Sequence, residues 1–237
     1  MAKPWHTIDK ADTPDGVLEL RQRGEGDFLI LINGRVLMNS SASRSELALG
    51  RVAGLAAGMP RPRVLIGGLG MGLTLRAALD VLPPASRVVV AELNPIILRW
   101  CQGPLSGLTK NAVHDTRVMI LLEDVSRVIT QAAQPHAEKF GAILIDLYEG
   151  PHAKTDPVND RFYGSGALEA TADALSTGGV FAVWCEQGDA AFERRLQSAG
   201  FSVDRERPGR GGLRHAVYIG RISRTARPHP AGDLIRS

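Results

Sequence analysis

Carboxylates directly follow several short apolar segments of this chain, where they could hold hydroxyl groups or accept protons. These acids are Glu92, Asp124, Asp146 and Glu149. Asp146 and Glu149 could hold a cationic amine and take its proton, so that the nitrogen lone pair can attack an alkyl donor. Tyr148, between them, could shape the pocket for that amine. The plainer alternative is that Asp146 caps a turn and Glu149 is solvated.

A glycine cluster stands about twenty residues before Glu92, in the segment Val-Leu-Ile-Gly-Gly-Leu-Gly-Met-Gly at 64–72. The dinucleotide pattern Gly-x-Gly-x-x-Gly fails, because the position of its third glycine is Leu73. The spacing Gly68-x-Gly70-x-Gly72 with a later acid is typical of class I S-adenosylmethionine (SAM) enzymes. A tight turn without any ligand is the alternative that the loop alone leaves open.

The predicted nucleoside site combines this loop with two strand ends. A carboxylate at the end of the second strand can accept both hydroxyls of a ribose, and Asp124 could accept from an adenine amino group. Asp124 could equally be the N-cap of the next helix, and the two roles are compatible. The expected nucleoside-binding residues are Gly67, Gly68, Gly70, Gly72, Glu92, Leu93, Asp124 and Val125.

From residue 63 onward, strand-like and helix-like patterns alternate, which predicts a parallel sheet with helices on both faces. Strands are expected at 63–67, 87–92, 117–122, 142–146, 179–185, 201–206 and 215–220, and helices near 71–82, 95–101, 125–134, 166–176 and 189–199. The fold class is therefore α/β, a Rossmann-like sheet of the class I SAM-methyltransferase type. The segment 150–164 has no clear period and follows a strand, as an active-site lid often does.

The N-terminal part predicts a small β-hairpin unit around Asn33-Gly34, followed by one helix over 45–57. No regular structure is expected in the first ten or so residues. The predicted organisation is a hairpin region at 1–60, a SAM-binding catalytic domain at 61–222 and a basic, disordered tail at 223–237.

Composition narrows the classes of function. The net charge of +3 matches the four arginines and one aspartate of residues 221–237, so the rest of the chain is neutral. A neutral body gives little support for nucleic-acid binding. Two distant cysteines and scattered histidines show no metal-ligand spacing, so no metal is expected. Without a long apolar run, no membrane contact is expected, and a cytoplasmic protein is predicted.

At these motifs the chain resembles the spermidine synthase family, the polyamine aminopropyltransferases, over residues 15–220. The resemblance is carried by Val64-Leu65-Ile66-Gly67-Gly68, by Val90-Ala91-Glu92-Leu93-Asn94-Pro95 and by Asp146-Leu147-Tyr148-Glu149-Gly150-Pro151. It implies transfer of an aminopropyl group from decarboxylated SAM to an amine, with Glu149 in the position of the catalytic acid. It also implies a homodimer, and a gatekeeping loop at 151–165.

Three departures from the family pattern leave the donor open. Met71 stands where we expect the family's acid that binds the donor's amine, Glu149 replaces an aspartate, and only Glu46 remains of a Tyr-His-Glu motif. An acid at the position of Met71 would repel the carboxylate of ordinary SAM, so its loss favours a SAM-dependent methyltransferase as the alternative function. A non-catalytic nucleoside-binding paralogue is the further alternative.

Overall fold

Two β-sheets and six α-helices make up the described part of the chain. The structure, a computed structural model, describes residues 3–148, 150–152, 154–186, 188–208 and 215–222. Predictions for Glu149 and for the tail at 223–237 therefore lie outside the described residues.

The N-terminal sheet has four antiparallel strands in chain order, β1 (His6–Thr13), β2 (Gly16–Arg23), β3 (Asp27–Ile32) and β4 (Arg35–Asn39). The hairpin predicted at Asn33-Gly34 joins β3 to β4, with φ of 48° and 79° at its two turn residues. Both angles are positive, as the two-residue turn with the twist of a hairpin requires.

The expectation of no regular structure in the first ten residues is wrong, because β1 pairs with β2 along its length. Ile8 and Ala11 of β1 pack against the core, and the Trp100 indole N–H donates to Asp9 Oδ2 at 2.7 Å. The short alternation of charged and apolar residues is weak in sequence. It becomes a strand because a neighbouring edge and a buried indole are available to it.

Between the sheets, the helix α1 (Arg44–Arg51) continues into a 3₁₀ segment at Val52–Ala56. The sequence pattern predicted one helix over this region, and the tighter second part is the difference. Leu49, Val52 and Ala53 are buried and fix this connection against the main sheet.

The main sheet has seven strands in the order β10-β11-β9-β8-β5-β6-β7. In chain order they are β5 (Arg63–Gly67), β6 (Arg87–Ala91), β7 (Val118–Leu121), β8 (Phe140–Ile145), β9 (Leu175–Cys185), β10 (Phe201–Glu206) and β11 (Ala216–Ile222). The pairings from β7 to β9 are parallel, and β11 pairs antiparallel with both β9 and β10. This confirms the predicted α/β class.

Five helices follow, α2 (Leu73–Val81), α3 (Pro95–Gln102), α4 (Val125–Ala133), α5 (Ser165–Ala174) and α6 (Ala190–Ser198). The largest difference from prediction is at 175–178, because a helix was expected to end near 176 and the next strand to begin at 179. Leu175 instead pairs with Phe140, and an irregularity in register before Ala142 accommodates the Gly178-Gly179 pair within β9.

The sheet changes direction at β5. The chain runs outward from β5 through β6 to β7 and then returns to place β8 on the other side of β5. Such a switch point opens a crevice outside the carboxyl ends of the two central strands, where open α/β sheets bind ligands. The glycine loop follows β5 and Asp146 follows β8, so both lie at this crevice.

Candidate active site

Two adjoining cavities occupy the carboxyl edge of the sheet. The smaller has a volume of about 490 Å³ and the larger about 1280 Å³. Gly68, Glu92, Leu93, Leu147 and Tyr148 line both of them. The two cavities therefore form one cleft, and the predicted nucleoside-binding segment lies where they meet.

The glycine loop brings backbone against backbone at the centre of the cleft. Gly68 has φ of 92°, and a Cβ on it would lie 2.3 Å from the carbonyl oxygen of Asp146. Only glycine permits this approach between the ends of β5 and β8. Gly68 and Gly70 line the larger cavity. Gly67 is instead covered by Val125, and Gly72 begins α2, so these two shape the loop.

Met71 does not face the cleft. Its side chain is fully buried in the core beneath the loop, and it is not among the residues that line either cavity. The expectation that Met71 occupies a donor-facing position is therefore wrong. The alternating loop turns Gly70 toward the cavity, and a Cβ at Gly70 would lie 2.6 Å from the sulfur of Met38.

Glu92 is held rigidly where the two cavities meet. Its side chain accepts hydrogen bonds from the backbone N–H groups of Leu69, at 2.9 Å, and Asn94, at 2.7 Å. Burial raises its pKa above the ordinary value, and the backbone hydrogen bonds oppose that rise. Leu93 is 59% exposed and lines both cavities beside it. A carboxylate positioned by backbone groups suits recognition of vicinal hydroxyls.

Asp124 lies on the smaller cavity and combines the two roles left open by the sequence. Its Oδ1 accepts from the Ser126 backbone N–H at 2.9 Å and so caps α4. Its Oδ2 accepts from Arg161, at 2.7 Å. Val125, also on the lining of this cavity, is buried against Gly67. Arg161 comes from the segment expected to form a lid, so that segment contacts the predicted adenine end.

Asp146 lies on the larger cavity in an environment that favours its neutral form. Burial and the nearby Glu46 carboxylate raise its pKa to about 7, opposed by the hydrogen bond from Thr74. The Thr74 hydroxyl lies 2.6 Å from Asp146 Oδ2 and 3.2 Å from the backbone carbonyl of Glu46. Thr74 thus connects the first turn of α2 to the Asp146 carboxyl group and to the backbone of α1. A carboxyl that titrates near neutrality can accept a proton from an amine.

Tyr148 is 40% exposed at the mouth of the cleft, and the guanidinium of Arg35 lies 5.2 Å from the centre of its ring. This contact joins the N-terminal sheet to the loop after β8. The other predicted catalytic residue, Glu149, lies outside the described residues.

Sequence reasoning missed several residues of the larger cavity. Ser45, Trp184 and His215 line it near the acids, with the Ser45 hydroxyl 3.4 Å from His215 Nδ1. The Trp184 and His215 rings lie 5.5 Å apart between centres. They come from α1, from β9 and from the residue just before β11, so no local motif could have grouped them. Thr74 was also missed, although a polar residue in the first helical turn after the glycine loop is a local feature that the sequence shows.

Two further features were sought in the described ranges, a metal site and a membrane-spanning helix. Within 3–148, 150–152, 154–186, 188–208 and 215–222, His, Cys, Asp and Glu nowhere form a group of three or more that could hold a metal ion. None of the helices in these ranges has the length and apolar character that a bilayer crossing requires.

Comparison with curated proteins finds two polyamine aminopropyltransferases. The one from Clostridium tetani is 25% identical over 128 residues, which cover 54% of this chain and 42% of that protein. The one from Shewanella oneidensis is 26% identical over 199 residues, covering 77% of this chain and 34% of that protein. The chain thus spans less than half the length of these relatives. No protein-family model matches it.

Two solved structures of spermidine synthases also match this chain. Spermidine synthase from Thermotoga maritima matches with a TM-score of 0.69 at 16% identity, covering 92% of this chain and 74% of that one. A spermidine synthase in complex with the transition-state analogue AdoDATO matches with a TM-score of 0.69 at 15% identity, covering 92% and 73%. The chain therefore shares the fold of these two spermidine synthases.

Proposed function

We propose that this protein transfers an aminopropyl or similar alkyl group from a decarboxylated SAM-type donor to an amine. The observation that carries the proposal is Asp146. It lies at the carboxyl end of β8, beside Gly68 and Glu46, on a cavity that also reaches Glu92. A proton acceptor and a nucleoside-binding carboxylate thus share one cleft. The relatives are named as aminopropyltransferases, and aminopropyl transfer needs both a nucleoside site and a proton acceptor.

The nucleoside end would be formed by the smaller cavity. Glu92 would accept the ribose hydroxyls, Asp124 the adenine amino group, and Leu93 and Val125 would bound the base. Gly68 and Gly70 leave room for the donor's chain beside the loop, while Gly67 and Gly72 set the loop's course. The carboxylate of Glu92 is already oriented by two backbone N–H groups, so binding would require little rearrangement.

The acceptor end would be formed by the larger cavity. Asp146 would take the proton of the incoming ammonium, and the freed lone pair would attack the carbon next to the sulfonium. The new nitrogen–carbon bond forms as the carbon–sulfur bond breaks, and the electron pair leaves on a neutral thioether. Tyr148 would bound the amine at the mouth. Glu149 keeps its predicted role as the catalytic acid, assigned from the sequence resemblance.

A SAM-dependent methyltransferase is the second candidate, and Gly70 favours it. The loop residue that faces the larger cavity carries no acid, and the thioether of Met38 lies where a side chain at that position would project. A donor's free amine therefore finds no carboxylate there, whereas an intact SAM carboxylate would meet no repulsion.

Titration with SAM and with decarboxylated SAM, followed by product analysis against a panel of amines, tests the proposal. Tighter binding of decarboxylated SAM and an aminopropylated product are expected. The reverse order with a methylated product would establish the second candidate. Binding of neither nucleoside would refute both. Glu149→Gln should reduce turnover strongly while nucleoside affinity changes little, and full activity in that variant would refute its role. We further propose a cytoplasmic homodimer that needs no metal.

A further inference from the structure

The larger cavity has walls of two different kinds. Glu46 and Asp146 both line one part, where the charge of Glu46 acts on the Asp146 carboxyl group and the Thr74 hydroxyl bonds Asp146 Oδ2 and the backbone carbonyl of Glu46. Another part is formed by apolar side chains of the N-terminal sheet, here called the apolar wall: Leu18, Ile30, Ile32, Val36, Leu37 and Met38. These residues come from β2, β3 and β4, so the small sheet supplies one side of the cleft.

The apolar wall reaches the glycine loop itself. A Cβ at Gly70 would lie 2.6 Å from Met38 Sδ and 3.0 Å from its terminal methyl carbon. Met38 therefore fills the space above the loop with a thioether. Val36, on the same strand, is 49% exposed and extends the wall toward the mouth.

The other carboxylates of this cavity are poorly placed to hold a second buried ammonium. Glu92 is already engaged by backbone N–H groups of the glycine loop region. Asp15 and Glu186 are exposed at the rim, where Arg35 adds a positive charge above the Tyr148 ring. Among the described residues, only Glu46 and Asp146 form an adjacent, partly buried acidic pair on this cavity.

We propose that the acceptor is a primary amine with an extended apolar tail, and not a short diamine. The inference rests on the proposed function, because it assigns the amine to the Glu46–Asp146 pair. One ammonium meets two carboxylates, and the tail lies along the apolar wall. The second ammonium of a diamine would lose its hydration on the apolar wall without gaining a charged or hydrogen-bonding partner, which is strongly unfavourable. Each additional methylene on the wall should instead strengthen binding about fourfold.

Calorimetric titration of the full chain, saturated with methylthioadenosine, tests this directly. The probes are n-butylamine, n-hexylamine and n-octylamine, each paired with the diamine of equal length. Monoamine affinity should rise about fourfold per methylene, and hexylamine should bind at least tenfold more tightly than 1,6-diaminohexane. Tighter binding of the diamine in each pair, no dependence on chain length, or no binding of any amine would overturn the proposal.

A charge placed in the wall provides a second test. Val36→Glu should narrow or reverse the preference for hexylamine over diaminohexane by about tenfold, because the new carboxylate can pair the far ammonium. Val36→Gln is the matched uncharged control and should shift both amines by the same factor. Val36 is half-exposed on β4, an edge strand of the N-terminal sheet, so both variants are expected to fold. An unchanged preference in Val36→Glu would place the tail elsewhere and refute the assignment.

Failure of this inference is distinguishable from failure of the proposed function. If monoamines bind with the expected chain-length dependence but receive no group from either donor, the amine site stands and the transferase proposal fails. If transfer occurs with a clear preference for short diamines, the transferase proposal stands and the apolar-tail assignment fails.

Discussion

The two ends of the cleft are built in different ways. At the nucleoside end, the glycine loop and Glu92 come from one continuous stretch, 64–93, in which strand, loop, helix, strand and acid follow one another, and Asp124 and the segment after β8 complete the lining. The acceptor end is assembled from the N-terminal sheet, α1, the end of β8 and the strands β9 and β11. The glycine loop and Glu92 are tied to the fold itself, whereas the acceptor end can change with any of these five segments. Donor class should therefore follow the fold more closely than acceptor class does.

The electrostatics of the two ends differ as well. Glu92 is oriented by two backbone N–H groups, so its carboxylate is structurally fixed. Asp146 has one hydroxyl donor, Thr74, and an acidic neighbour, and its pKa is raised to about 7. The first carboxylate is suited to binding and the second to exchanging a proton. Substitutions at these two positions should separate binding from turnover.

The largest expected effect is on turnover in Asp146→Asn. The variant keeps the shape of the side chain but cannot accept a proton, so kcat should fall by about 10²–10⁴-fold, with nucleoside affinity within about threefold of the wild type. Steady-state rates and calorimetric titration with the donor measure the two quantities.

Asp80→Asn is the matched control for that substitution. Asp80 pairs with Arg76 on the exposed face of α2, away from the cleft, and its loss should leave turnover unchanged. Wild-type turnover should also rise with pH through about 7 as Asp146 loses its proton. Undiminished activity in Asp146→Asn would exclude Asp146 as the proton acceptor.

The reverse pattern is expected at the nucleoside end. Glu92→Ala removes the proposed acceptor of the ribose hydroxyls, and hydrogen bonds to a charged group are each worth about 1.5–3 kcal/mol. Donor affinity should therefore fall by about 10²-fold or more, while the affinity for amines changes little. Glu123→Gln, on the rim of the smaller cavity, is the control. An equal loss of amine affinity would mean that the two ends are not independent.

Stability should depend on pH through Asp146. Its pKa is raised in the folded state from 3.8 to about 7. The folded protein therefore holds a proton that the unfolded chain lacks between about pH 4 and 7. The stability linked to that proton is full below pH 4 and is lost as pH rises through 7. Asp146→Asn should thus be more stable than the wild type at pH 8, by about 4 kcal/mol for a shift of this size, and most of that gain should be absent at pH 4.5.

Urea denaturation of both proteins at these two pH values measures the difference. Asp80→Asn should show no comparable gain at pH 8. Equal stability of the wild type and Asp146→Asn at pH 8 would show that ionising the buried Asp146 carboxyl group does not destabilise the fold.

The smallest expected effect concerns the lid. Arg161 donates to Asp124 Oδ2, the atom proposed to accept from the adenine amino group, and its side chain is 61% exposed. Exposed ion pairs contribute about 0.2–1 kcal/mol, so Arg161→Gln should strengthen donor binding by about two- to fivefold at low salt. Arg127→Gln, which removes an exposed partner of the neighbouring Glu123, should have no effect. Weaker donor binding in Arg161→Gln would mean that Arg161 contacts the donor itself.

The same contrast explains which features could be predicted from sequence. The loop after β5, Glu92 and Asp124 are recognisable because each role depends on neighbours within a few residues. The orientation of Met71 was predicted wrongly, since the alternating backbone angles of the loop decide which residue faces the cavity. The apolar wall and His215 depend on how separate segments pack, which no local pattern encodes. The strand β1 was missed because pairing, and not its own composition, stabilises it.

The central claim is that one cleft binds a SAM-type nucleoside and transfers its alkyl group to an amine held at Asp146. Mass spectrometry of reactions containing decarboxylated SAM and hexylamine tests it most directly. The prediction is an aminopropylated amine formed together with methylthioadenosine by the wild type, and no such product from Asp146→Asn. Absence of that product with the wild type, under conditions where decarboxylated SAM and the amine are both bound, would contradict the claim.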